Sequence, residues 1–202
     1  MPDFTAFHGS SQIATGELVK VVTLTKNELD RGNGSKLLIF NNETGEQLDV
    51  DLGGTLADVQ RRLLRPSEEA RGPGRPKLGV VAREVTLLPR HWDWLSTQPG
   101  GASVALRRLV DDAKRTHQDR DRIRQAREAA YRFMSAVAGN EPGFEEASRA
   151  LFSGNQENFE DLARLWPPDV RDYAVRLAAL SFDPPETPPG SPATMMLSPH
   201  NS

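Results

Sequence analysis

The sequence predicts an α+β protein, and three observations carry that prediction. Short strand-like apolar runs lie within the first 52 positions, helical-period apolar stripes begin near residue 89, and a Pro/Gly-rich break separates the two at residues 66–79. The expected architecture is a small N-terminal mixed sheet with helices over residues 1–65, a central strand-helix-helix unit over 80–117 and a C-terminal helical bundle over 118–182. Residues 183–202 carry six prolines among Ser, Thr and Gly. Such a composition buries too little apolar surface to offset ordering entropy, so the expectation there is a disordered tail.

Each element follows from local chemistry. Phe4–His8 and Gln12–Thr15 flank Gly9-Ser10-Ser11 and predict a hairpin. Leu18–Asp30 reads as a helix although Val19, Val21 and Val22 are poor helix formers, and Gly32-Asn33-Gly34 ends it. A second hairpin is expected from 36–41 and 46–52 around Asn42-Glu43-Thr44-Gly45. Thr55 with Asp58 three residues on has the spacing of a capping box. Past the linker, Arg83–Leu88 is strand-like, Pro89 opens a helix, Pro99-Gly100-Gly101 stops it, and Ser103 is placed to cap the next. In that helix Leu106, Leu109, Val110 and Ala113 form one apolar stripe, with Arg107, Arg108, Lys114 and Arg115 off it. Four further stripes, around Phe133, Leu151, Trp166 and Tyr173, predict the bundle.

Composition limits what this chain can do. There is no cysteine, which removes disulfides, thiolate nucleophiles and thiolate-held metals. No apolar run reaches membrane-spanning length and no basic-then-apolar leader opens the chain, so a cytoplasmic protein away from membranes is expected. The net charge of -3 is unevenly spread: residues 1–60 carry 4 basic and 9 acidic side chains, residues 61–139 carry 17 and 9, and residues 140–202 carry 4 and 10. A basic middle between acidic ends suits either a polyanion-facing segment or pairing of charges within the protein.

The most specific stretch runs Gly74-Arg75-Pro76-Lys77-Leu78-Gly79-Val80-Val81-Ala82-Arg83-Glu84-Val85-Thr86-Leu87-Leu88-Pro89-Arg90-His91-Trp92-Asp93-Trp94-Leu95 and resumes from Gln98 to Val110. It resembles the signature region of an uncharacterised bacterial domain family, a resemblance that extends from Phe4 to about Leu177. Its central part also resembles a ribbon-helix-helix unit, in which two chains pair one strand each into a ribbon that enters the DNA major groove. That resemblance implies a homodimer on double-stranded DNA, with Ser103 and the amides of Val104 and Ala105 near a phosphate. The strand departs from the family pattern, which would turn Arg83, Val85 and Leu87 to the groove and Glu84, Thr86 and Leu88 inward. With Val85 and Leu87 inward instead, base reading falls to Arg83 and Thr86 or to the helix near Ser103, because a one-residue shift exchanges the faces of a strand. The alternative is that the strand joins the N-terminal sheet.

Gly74-Arg75-Pro76, flanked by Arg71 and Lys77, resembles the core of an AT-hook, which lays an extended chain in the minor groove. Pro73 stands where that motif has Arg, and a stiff solvated linker is the other reading. Trp92 is expected to pack and Trp94 to make a dimer or interdomain contact. His8, His91, His117 and His200 lack metal-ligand spacing, and no phosphate-cradling loop or nucleophile elbow is present. The expectation is therefore a DNA-binding, non-enzymatic protein, a transcriptional regulator without metal or cofactor. Its DNA contacts would be Arg71, Arg75, Lys77, Arg83, Thr86, Ser103, Arg107 and Arg108. The alternative is a protein-interaction or scaffold protein.

Overall fold

The computed structural model describes residues 3–32, 36–64 and 83–182. The linker 66–79, with Arg71, Arg75 and Lys77, and the tail 183–202 lie outside the described residues.

Strands β1 (Phe4–His8) and β2 (Ser11–Gly16) form the first hairpin, and α1 (Leu18–Asp30) returns the chain across one face. β3 (Leu37–Asn41) then enters beside β1, and β4 (Gln47–Leu48) closes the order β2-β1-β3-β4. All three pairings are antiparallel, so the sheet is antiparallel rather than mixed. β4 is shorter than the expected 46–52, and the backbone after it is held instead by Arg62, whose Nη2 donates to the Asp51 carbonyl at 2.8 Å. Arg62 lies on α2 (Leu56–Leu64), whose entry is the expected capping box: Asp58 N donates to Thr55 Oγ1 at 3.3 Å, and Thr55 N to Asp58 Oδ2 at 3.1 Å.

β1 is the central strand and is buried on both faces, which its alternation explains. Phe4 and Ala6 join Val21, Val22, Ile39 and Val59 beneath α1 and α2. Phe7 turns the other way, into a cluster with Phe40, Phe133 and Tyr173, the last two separated by 4.5 Å between ring centroids. Each such buried aromatic stabilises the fold by roughly 1.5–3 kcal/mol through area alone. The sheet thus sits between a two-helix layer and a helical layer.

The second layer comes from the C-terminal part of α4 (Gly101–Val137) with α5 (Phe144–Ser153), α6 (Gln156–Ala163) and α7 (Pro168–Ala178), followed by a short 3-10 turn at Ala179–Ser181. Trp166 is buried and donates Nε1–H to the Pro142 carbonyl at 2.9 Å. A polar cluster locks α7 to the sheet. Thr5 Oγ1 bonds to Thr15 Oγ1 and donates to Asn42 Oδ1 at 2.8 Å, and Tyr173 Oη donates to the same Asn42 oxygen at 2.8 Å. The Arg176 guanidinium lies 4.6 Å from the Tyr173 ring centroid.

Two corrections concern the middle of the chain. Residues 117 and 118, where the sequence places a unit boundary, lie inside one continuous helix, since no Gly or Pro interrupts 102–138. Arg83–Leu88 forms no strand and pairs with none of the described strands. Joining the N-terminal sheet is therefore not what this segment does within the chain.

Candidate nucleic-acid interface

α3 (Pro89–Ser96) packs against the first turns of α4, and this hairpin forms an arm beyond the bundle. Pro89 at the first helical position supplies a fixed φ where no amide partner is needed, and the Leu88 carbonyl accepts from His91 N at 2.8 Å. The turn closes through Gly101 N donating to the Gln98 carbonyl at 3.0 Å. Gly100 caps α4 with φ 84°, and a Cβ there would lie 3.1 Å from Val104, so both its backbone and its neighbour favour glycine. Ser103 consequently sits one turn inside α4 instead of capping it. Its carbonyl and hydroxyl face Arg107, whose Nε donates to Ser103 O at 3.1 Å.

Leu95 and Ala105 are buried where the two helices meet. Little else on the arm is. Val85, Leu88, Trp92, Trp94, Val104, Leu109 and Val110 are all exposed, with Trp94 at 51% and Val85 at 53%. Trp92, expected to pack, is 42% exposed; the helix packed against α3 among the described residues is α4, and it meets Leu95. Val85, expected inward, has no core to face, and Leu87 is half-buried in a groove of about 310 Å³ with Arg90, Trp94, Leu95 and Leu106. Arg107–Gln118 is exposed without interruption.

The cations divide into two groups. Arg115, Arg122 and Arg124 pair with Asp112, Asp119 and Asp121 one turn earlier, at 2.5, 3.8 and 2.7 Å. Among the described residues Arg83, Arg90, Arg107, Arg108 and Lys114 make no ion pair. At 100° per residue, Arg107, Arg108 and Lys114 lie at least about 100° around α4 from Leu109. Val104 falls between Arg107 and Arg108 around the helix and Val110 about 40° from Lys114, so exposed apolar and basic side chains are interleaved on the outer face of α4. The structure brings Ser103, Arg107 and Arg108 together on α4, while Arg83 and Thr86 are exposed on the extended segment before α3.

Among the described residues no group of three or more His, Asp or Glu side chains is placed to hold a metal, and no helix is long and apolar enough to cross a membrane. An antiparallel four-stranded sheet between helical layers, with a helical arm, defines an α+β protein with an accessory hairpin. The chain belongs to the family DUF2239, described as an uncharacterised protein conserved in bacteria, whose model matches residues 3–178. No curated protein and no solved structure matches it.

Proposed function

We propose that this protein is a homodimeric DNA-binding protein, a regulator of transcription, that grips a duplex through its arm. The observation that carries the proposal is the stretch 83–115, where exposed apolar side chains stand beside cations that make no ion pair among the described residues. Its seven exposed apolar residues, spread around the arm, together expose on the order of 700 Å² per chain, against the ~800 Å² each partner contributes to a standard stable interface. Exposed apolar surface on this scale in a soluble protein marks a contact surface. Before Leu88, the non-helical segment from Arg83 makes no backbone bond to the described residues, and an antiparallel pair with its counterpart would form a ribbon. Arg107, Arg108 and Lys114 then remain outward for phosphates, with Arg83 and Thr86 at the ribbon.

A protein-interaction role is the second reading, and the ion pairs of Arg115, Arg122 and Arg124 favour it, since cations already paired release fewer counterions on meeting DNA. Sedimentation equilibrium with duplex titrations at several salt concentrations separates the two. A dimer whose affinity for duplexes falls steeply with salt supports DNA binding; a dimer that ignores duplexes at low salt leaves the interaction role.

A further inference from the structure

A second groove lies along the middle of α4, between it and α5, with a volume of about 430 Å³. Arg120, Arg124 and Arg127 line it, at the i, i+4 and i+7 spacing that aligns side chains on one helix face. Arg127 is the unusual member. Its Nε is, among the described residues, the one buried side-chain polar atom without a partner, and its Nη2 reaches only the Ser181 carbonyl at 3.4 Å. A buried guanidinium donor left unpaired costs more than an ordinary missing hydrogen bond, so such a group calls for an acceptor. A Cβ at Gly154 would lie 3.2 Å from that Nη2, so the glycine leaves the guanidinium its room.

The groove's other chemistry is consistent with an anion. Arg120 makes no ion pair among the described residues, and Arg124 holds Asp121 in an exposed pair that a ligand can replace at little cost. The lining carboxylate, Glu128, is drawn toward Arg132, with 3.7 Å between Oε2 and Nη2. The apolar lining is Ile123, half-buried on α4 beside the arginines, and across from them Phe152 on α5, 49% exposed with its ring edge-to-face on Tyr131 at 5.4 Å. An exposed aromatic held in place beside converging cations offers a surface for a ring.

We propose that this groove binds a small organic oxyanion, with Arg120, Arg124 and Arg127 taking the anionic group and Phe152 receiving an aromatic or apolar body. The site is independent of the DNA-binding proposal. Bidentate guanidinium contacts suit phosphate or carboxylate oxygens, and the groove holds a ligand of about one ring plus one such group.

Isothermal titration of the full chain with phenyl phosphate and with inorganic phosphate tests this. Phenyl phosphate is expected to bind saturably and about tenfold more tightly than inorganic phosphate, the difference coming from Phe152. Phe152→Ala removes that difference. Because Arg127→Ala threatens the fold, the decisive variant is Arg120→Ala with Arg124→Ala, both surface side chains; it is expected to weaken phenyl phosphate binding at least about tenfold with the melting temperature unchanged. Equal binding by parent and double variant, or no saturable binding up to about 10 mM, overturns the proposal. Displacement of phenyl phosphate by a DNA duplex also overturns it, by making the groove part of a polyanion face.

Discussion

The Cβ that alanine would place at Gly45 falls 2.0 Å from the carbonyl oxygen of Ala129, so the β3–β4 turn rests directly on the backbone of α4. No rotamer change relieves a clash with backbone. Gly45 also has φ 65°, a conformation that costs any residue with a Cβ. Gly45→Ala is therefore expected to cost about 2–4 kcal/mol in urea unfolding, well above an ordinary surface-turn substitution. A loss below about 0.5 kcal/mol would show that the turn and α4 do not touch.

Tyr173 supplies a pH signature. Burial pushes its phenol up to about 12, against the hydrogen bonds and the Arg176 charge that act the other way. The folded pKa lies above the unfolded value near 10, so this stability is fully present below pH 10 and is lost as pH rises from 10 toward 12. Deprotonation in the unfolded chain alone draws the equilibrium toward unfolding over that window, by on the order of 2–3 kcal/mol. Tyr173→Phe removes this component and also the bond to Asn42, costing about 1 kcal/mol at neutral pH. The variant is expected to lose less stability than the parent between pH 10 and 12, measured by chemical denaturation at each pH.

Arg107 and Arg108 test the polyanion face. Both are exposed and make no ion pair among the described residues, so Arg107→Ala with Arg108→Ala should leave the melting temperature within a degree or two of the parent. If they meet phosphates, affinity falls for every duplex alike and the slope of log affinity against log salt flattens by about 2. Fluorescence anisotropy with two unrelated duplexes checks it, and an unchanged slope removes these residues from the interface.

The parts of the fold that repeat locally were legible in the sequence. The capping box at Thr55 and Asp58, the hairpins and the stop at Gly154 depend on neighbours a few positions apart, and the structure contains them. The length of α4 was not, because the run 114–122 has no apolar residue and gives no apolar period. Its Asp-to-Arg pairs one turn apart support a helix that no packing defines. The exposure of Trp92 was hidden for a different reason, since burial depends on what lies opposite and not on residue type. Likewise Arg127 follows Arg120 at visible spacing, but Ser181 and Phe152, which give the groove its character, arrive from distant positions.

Thr86 decides between the ribbon and a chain that self-associates by helices alone. Its backbone N–H makes no bond to the described residues, and the segment around it is non-helical and largely exposed. Among the described residues, Thr86→Pro therefore removes no hydrogen bond within one chain. In a two-stranded ribbon whose ladder includes the Thr86 N–H, the same change deletes a ladder bond and places a ring at the strand contact. The expected outcome is that Thr86→Pro leaves the helical circular dichroism and body stability intact while weakening the dimer at least about tenfold in sedimentation equilibrium. Duplex affinity falls with it, because each half of the ribbon positions the cations of the other arm. Leu109→Asp provides the contrast, since it places a charge among the exposed apolar side chains of α4 and opposes dimerisation by either route. A Thr86→Pro protein that dimerises like the parent, beside a Leu109→Asp protein that is monomeric, would assign the interface to α3 and α4 and remove the ribbon.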